Sequence, residues 1–154
     1  MGFADYHFVT HWRIKGPIHI VYDILKDGPH YSQWWKPSYV SSSEITDKSG
    51  NQKVVCTVRA RLPYTLTFTT ELIREKPPHE ILVKSTGELI GTGLWKLRQE
   101  KDDTCVEFYW DVKATKPLIR CLSFILKPFF KWNHSWVMRN GEVSLQNEVT
   151  RRIQ

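Results

Sequence analysis

The sequence predicts an α+β fold, with an antiparallel sheet of about seven strands and helices on one side of it. Three observations predict it. Strand-type alternation opens the chain and fills its middle, helical periodicity closes it, and the joints between the alternating runs are short enough to be hairpins. The expected order is one strand, two short helices, six strands and a long helix.

Tyr6 to Lys15 alternates, with Tyr6, Phe8, Trp12 and Ile14 facing one way and His7, His11, Arg13 and Lys15 the other. That is a half-buried strand. Gly16-Pro17 ends it, and Pro17 suits the first turn of a helix. Ile18, Val21, Tyr22, Ile24 and Leu25 make that helix amphipathic, and Asp27-Gly28-Pro29 stops it. His30 to Trp35 reads as a second short helical turn, closed by Pro37. Strands are expected at 38–47, 52–61, 64–75, 80–88, 92–100 and 104–115. The turn-like breaks are Asp47 to Asn51, Leu62-Pro63, Lys76-Pro77-Pro78, Gly91 with Gly93, and Lys101 to Asp103.

Residues 117–149 are helical in pattern. Pro128 removes a backbone donor, which predicts a shorter piece near 117–126 and a main helix from about 128 to 149. On the helical wheel Lys131, Ser135, Arg139, Glu142 and Gln146 form one narrow polar stripe. Apolar and aromatic residues, among them Phe129, Phe130, Trp132, Trp136, Val137, Met138, Val143 and Leu145, cover most of the rest. A surface helix normally hides one stripe. This one needs cover on more than one side, from a sheet and from a second packing element, a partner or a bound apolar molecule. Gly141 costs about 1 kcal/mol against alanine in a helix, and its wheel position predicts a close approach of helix and sheet.

At 154 residues the chain is the size of one domain with a full core. No apolar run is long enough to span a bilayer. Met1 to Tyr6 has neither a basic nor an apolar signal region, so a cytosolic location is the expectation. Cys56, Cys105 and Cys121 are odd in number and far apart, which argues against disulfides and zinc and for small apolar packing residues. The histidines are too dispersed to hold a metal. With no Gly-rich phosphate loop and no nucleophile motif, no cofactor is expected. The net charge of +6 is scattered, from Lys36 and Lys53 to Arg151 and Arg152. It describes a solvated basic surface, with attraction to an anionic membrane as the sharper alternative. Nucleic-acid binding would need a basic stripe with exposed aromatics, and these aromatics fall on buried faces.

Three stretches carry a family likeness: Trp12 to Ile18 leading to Val21–Leu25 and Trp35-Lys36-Pro37; Gly87-Glu88-Leu89 with Gly91, Gly93, Trp95 and Leu97; and Trp132-Asn133-His134 with Val137-Met138, Gly141-Glu142 and Leu145. In these the chain resembles the START-like helix-grip superfamily (SRPBCC), within its group of polyketide cyclase/dehydrase and lipid transport proteins. The resemblance implies one ligand-binding domain over residues 1–154. It also implies that the sheet curves around the C-terminal helix, with a cavity between them opening near the two short helices.

Strand parity gives an inward set directly: Tyr64, Leu66, Phe68, Thr70 and Leu72; Val106, Phe108, Trp110 and Val112; Trp95 and Leu97; Trp12 and Ile14. Seven tryptophans overfill one small core, so some must ring an opening, and Trp34, Trp35 and Tyr39 are best placed for it. From the long helix Phe130, Asn133, His134, Val137 and Met138 complete the candidate cavity. Asn133 and His134 can orient a ligand, and His134 is the candidate acid or base. The favoured reading is a structural histidine bonded to an inward tyrosine or a backbone carbonyl, and an inward set poor in carboxylates weakens the case for an enzyme.

The first functional expectation is a non-catalytic binder or carrier of a hydrophobic small molecule: a lipid, quinone, isoprenoid or polyketide-like compound. The second is a cyclase or dehydrase that moves a proton with His134. The third is an interaction module with a filled core, in which Trp132, Trp136 and Val143 meet another protein or a second copy. Monomer and homodimer are both compatible with the sequence.

Overall fold

In the computed structural model the described residues are 5–59, 65–115 and 117–154, without the side chains of 117–127, 129 and 130. Strand β1 (Asp5–Lys15) leads to helix α1 (Ile18–Lys26), a 3₁₀ turn (Gly28–His30) and helix α2 (Tyr31–Trp34). Six strands follow: β2 (Tyr39–Thr46), β3 (Gln52–Arg59), β4 (Thr65–Lys76), β5 (Glu80–Gly87), β6 (Leu89–Glu100) and β7 (Asp103–Ala114). Helix α3 (Pro117–Ile153) closes the chain. The seven strands form one sheet in the order β1-β7-β6-β5-β4-β3-β2, and every neighbouring pair is antiparallel. The α+β class and the order of elements are those the sequence predicts.

Two expectations need correction. Gly91 and Gly93 do not break the chain; they lie inside β6. A Cβ on Gly91 would meet the carbonyl oxygen of Asp111 at 1.9 Å, and one on Gly93 would meet the Trp110 ring at 2.9 Å. These glycines let β6 and β7 approach and leave room for the ring, a use of glycine within a strand rather than at a turn. Nor does Pro128 divide the last helix, which runs unbroken for 37 residues. Pro128 is exposed. The carbonyl one turn earlier, which loses its partner, therefore faces solvent, where water can take the bond.

Helix α3 packs against β1, α1 and α2. Its polar stripe is not simply wet. Glu142 Oε2 accepts a hydrogen bond from the backbone N–H of Arg13 at 3.0 Å. Gln146 Oε1 accepts from the N–H of Lys15 at 2.8 Å, and Gln146 Nε2 donates to the carbonyl of Lys15 at 3.0 Å. β1 is an edge strand, so those backbone groups would otherwise stand open. The spacing matches: four helical residues rise about 6 Å and two strand residues about 6.6 Å. Side chains of α3 thus stand in for a missing eighth strand.

The second attachment is aromatic. Trp35 is 2% exposed and lies against Trp12, Trp34, Tyr31 and Tyr39, with ring centroids 4.9–5.7 Å away. Its Nε1 donates to the carbonyl of Val137 in α3 at 3.2 Å. A Cβ on Gly141 would sit 2.6 Å from the Trp35 ring. The close approach that Gly141 permits is therefore to Trp35 rather than to the sheet. Beside it the buried Ser38 hydroxyl donates to Asn140 Oδ1 at 3.2 Å.

Gly141→Ala tests this contact. Helix propensity alone would stabilise by about 1 kcal/mol. Trp35 is hemmed in by other rings, so overpacking of about 1–3 kcal/mol should win. Urea denaturation is expected to show a net loss, and a net gain would mean that the ring has room to move.

Candidate functional site

The inward residues divide into two groups. Under α1 and α2 the packing is solid, with Trp12, Ile14, Val21, Tyr22, Ile24, Leu25, Trp34, Trp35, Trp95, Leu97 and Val106 in one cluster that also takes in Leu145 and Val149 of α3. Towards the other end of the strands a second cluster holds Tyr6, Cys56, Phe68, Leu89, Val112 and Ala114. A cavity of about 450 Å³ is bordered by all six members of that second cluster and by part of the first. It is a size typical of small-molecule sites. The core is therefore not filled.

Of the residues singled out from sequence, Trp35, Tyr39, Phe68, Trp95, Phe108, Trp110, Asn133, His134, Val137 and Met138 border the cavity. Trp12 and Trp34 are not among its lining residues; they pack at 4% and 8% exposure in the solid cluster. Trp34 and Trp35 do not ring an opening either, because the turn that carries them folds inward over Trp12 and Trp95. Tyr64 lies outside the described residues, as do the side chains of Phe130 and Cys121. Sequence reasoning missed Tyr6, Phe8, Tyr31, Val54, Cys56 and Val58 as lining residues. The alternation of β1 already placed Tyr6 and Phe8 inward, and Val54, Cys56 and Val58 show the same two-residue period.

Aromatic rings dominate the wall. Trp95, Phe108 and Trp110 stack in series at 4.0 and 5.6 Å, and Phe68 meets Trp110 at 5.8 Å. Tyr6, Phe8 and His134 form a second run, with Phe8 and His134 stacked at 3.9 Å. Rings this rigid cannot collapse into the gap between them, so the hollow is held open.

The polar groups are few. The Tyr31 hydroxyl donates to the Leu25 carbonyl. Burial raises the pKa of Tyr31 and Tyr39, and burial pushes the Cys56 thiol up to about 12. All three are thus neutral near pH 7. His134 Nε2 is buried with no hydrogen-bond partner among the described residues, a state that costs about 1–3 kcal/mol. Burial lowers the His134 pKa to about 4, so the ring is neutral near pH 7. Lys26, Glu44 and Lys53 are the charged lining residues, and they come from the end of α1, β2 and β3. Lys26 pairs with Glu75 at 3.1 Å and Lys53 with Asp47 at 3.0 Å. Glu107 and Asp111 are on the outer face, as their parity predicts, beside His11 and His7 at 3.8 and 2.9 Å. A second depression of about 710 Å³ lies outside that cavity, and its mixed lining includes Arg13, Lys96, Arg98 and Glu107 beside Trp12, Leu97 and Val106.

The described residues contain no group of three or more side chains placed to hold a metal ion. Among them no helix is long and apolar enough to cross a membrane.

A curved antiparallel sheet, a long C-terminal helix and a hollow between them define a START-like helix-grip protein. The chain belongs to the polyketide cyclase/dehydrase and lipid transport family, whose model matches residues 8–141. Solved structures share the fold. A Streptomyces aromatase/cyclase superposes with a TM-score of 0.73 at 13% identity, over 97% of this chain and 96% of its own. A START superfamily protein from Mycobacterium smegmatis gives 0.71 at 13% identity, over 94% and 97%. The di-domain aromatase/cyclase BexL gives 0.70 at 19% identity over 94% of this chain, which spans about half (50%) of that protein. None of the curated proteins matches the chain. Family and fold support hydrophobic ligand binding or a polyketide cyclase-type role.

The buried histidine makes stability depend on pH. Above its ordinary value of 6.5 both folded and unfolded chains hold a neutral ring. Below it the unfolded chain takes a proton that the folded chain refuses until about pH 4, so stability falls as pH falls. Between pH 7 and pH 5 this amounts to about 2 kcal/mol. Urea denaturation at the two pH values should show the loss in the native protein, and His134→Leu should be less pH-dependent by that amount. Equal slopes in the two proteins would mean that His134 titrates normally.

Proposed function

We propose that this protein is a non-catalytic binder or carrier of a hydrophobic small molecule, held between the sheet and α3. The observation that carries the reading is the lining itself: a hollow of about 450 Å³ walled by aromatic and aliphatic side chains. Burying apolar ligand surface there contributes about 25 cal/mol per Å² before ordering costs. Asn133, His134, Tyr39 and the other polar lining groups are few enough to orient a guest rather than to hydrate it. Lipids, quinones, isoprenoids and polyketide-like compounds all fit that description. The basic surface suits docking on an anionic membrane for loading and delivery.

A cyclase or dehydrase role for His134 is the weaker reading. A general base works best with a pKa near the working pH. Burial drives this one to about 4, and no carboxylate stands beside it among the described residues. Proton transfer there would rest on this one ring alone.

Native mass spectrometry of protein purified from its own host should show a co-purifying apolar compound, identifiable after extraction. Val112→Phe places a ring in the hollow; it is expected to weaken binding of that compound more than about tenfold, while the melting temperature stays level or rises. His134→Ala should shift affinity without abolishing binding. A compound that is chemically converted by the native protein, and no longer converted by His134→Ala, would establish the enzyme instead.

A further inference from the structure

We infer that the guest is an uncharged amphiphile, oriented by a hydroxyl-type group that pairs with the imidazole of His134. This rests on the carrier reading and narrows it to a class of ligand.

Two observations disfavour an ionised guest, and a third supplies the anchor for a neutral one. The first is the interior. Tyr31, Tyr39, Cys56 and His134 all border the cavity and all are held in their neutral forms by burial. A carboxylate or ammonium drawn in among them would lose its water without meeting an opposite charge, and an unpaired ion is the costliest thing to bury.

The second is the distribution of charge around the lining. The two lysines that border the cavity are already committed. Lys26 holds Glu75, which also accepts from the Tyr22 hydroxyl, and Lys53 holds Asp47. Glu44, the remaining charged lining residue, is negative. Among the described residues, two cations against Glu75, Asp47 and Glu44 leave one negative charge in excess. A fatty-acid carboxylate or a phosphate would meet no spare cation among them. Glu44 is exposed, so it offers an amine little more than water does.

The third is the unpartnered group. His134 reaches the cavity from α3, which packs beside β1. Glu44 and Lys53 border it from β2 and β3, at the opposite edge of the sheet, and Lys26 from the end of α1, where it meets Glu75 of β4. The orphaned polar atom and the Glu44 and Lys53 side chains thus come from elements at opposite edges of the sheet. His134 Nε2 lacks a partner among the described residues. Whether that nitrogen carries the proton or a lone pair depends on the tautomer. A hydroxyl satisfies either, because it both donates and accepts.

Displacement of a bound neutral hydrophobic dye by tetradecanol, tetradecanoic acid and tetradecylamine at neutral pH tests the idea. Tetradecanol is expected to bind at least about tenfold more tightly than the acid or the amine, the scale of one buried hydrogen bond. His134→Phe keeps a ring against Phe8 but cannot hydrogen-bond; measured against the dye's own affinity for the variant, tetradecanol should bind about tenfold more weakly. His134→Gln can still donate and accept, and should retain the advantage. Circular dichroism establishes that both variants are folded. Acid or amine binding as tightly as alcohol would overturn the inference, and so would a tetradecanol affinity unchanged against the dye's in His134→Phe. In either of those cases the carrier reading stands, because the dye and the chains still bind. If neither the dye nor any chain binds the native protein, the carrier reading falls and takes the inference with it.

Discussion

The fold turns on where α3 is tied. Glu142 and Gln146 bond to the open edge of β1, and Trp35 lies across the helix at Gly141. Both attachments are on one side of the molecule. A helix held this way leans on β1, α1 and α2, and the concave faces of β3 and β4 border the hollow through Val54, Cys56, Phe68 and Thr70. Had α3 lain across the middle of the sheet, Cys56, Phe68 and Val83 would touch it and there would be no hollow. The cavity follows from an edge strand that needed its backbone groups satisfied.

The same geometry explains why the molecule has one solid half and one hollow half. α1 and α2 cover the sheet at one end, and the large rings there interlock around Trp35. Beyond them the next rings, Phe68, Phe108 and Trp110, have the sheet behind them and border the hollow, while Phe8 is met by His134 of α3. Tyr39 and Trp110 pack against both groups, so the wall is continuous from one half to the other. The tryptophans therefore serve two purposes. Trp12 and Trp34 fill the core, while Trp35, Trp95 and Trp110 also face the void.

Most of the fold was legible in the sequence because period-two and period-three-to-four patterns are local. The strand series, the two short helices and the terminal helix all follow from runs such as Tyr6–Ile14 and Leu66–Leu72. What was not legible depends on partners far away in sequence. Glu142 and Gln146 look like any solvated stripe until β1 is placed beside them. Gly141 announces a close approach but cannot say that Trp35 makes it. Pro128 argues for a break by a local rule, and exposure of that side of the helix overrides the rule. The site was legible to a similar degree. Parity placed Phe68, Phe108 and Trp110 inward, yet the difference between bordering a void and filling a core is a matter of what stands opposite, which no single strand encodes.

A hollow of this kind is a standing cost to the fold. Engineered cavities lower stability by about 24 cal/mol for each Å³ left empty, and water is a poor filler where each molecule needs two to four polar partners. The described lining offers few such partners, and one of them, His134 Nε2, is itself unsatisfied. Selection for stability alone would fill the space with one or two larger side chains, since Val54, Val58, Val83 and Ala114 all border it and all could be larger. Small residues kept beside large rigid rings make sense when the missing volume is supplied from outside the chain. A guest that binds only the folded state then returns stability in proportion to the logarithm of its concentration. On this view folding and cargo are coupled: the protein reaches its full stability only when loaded.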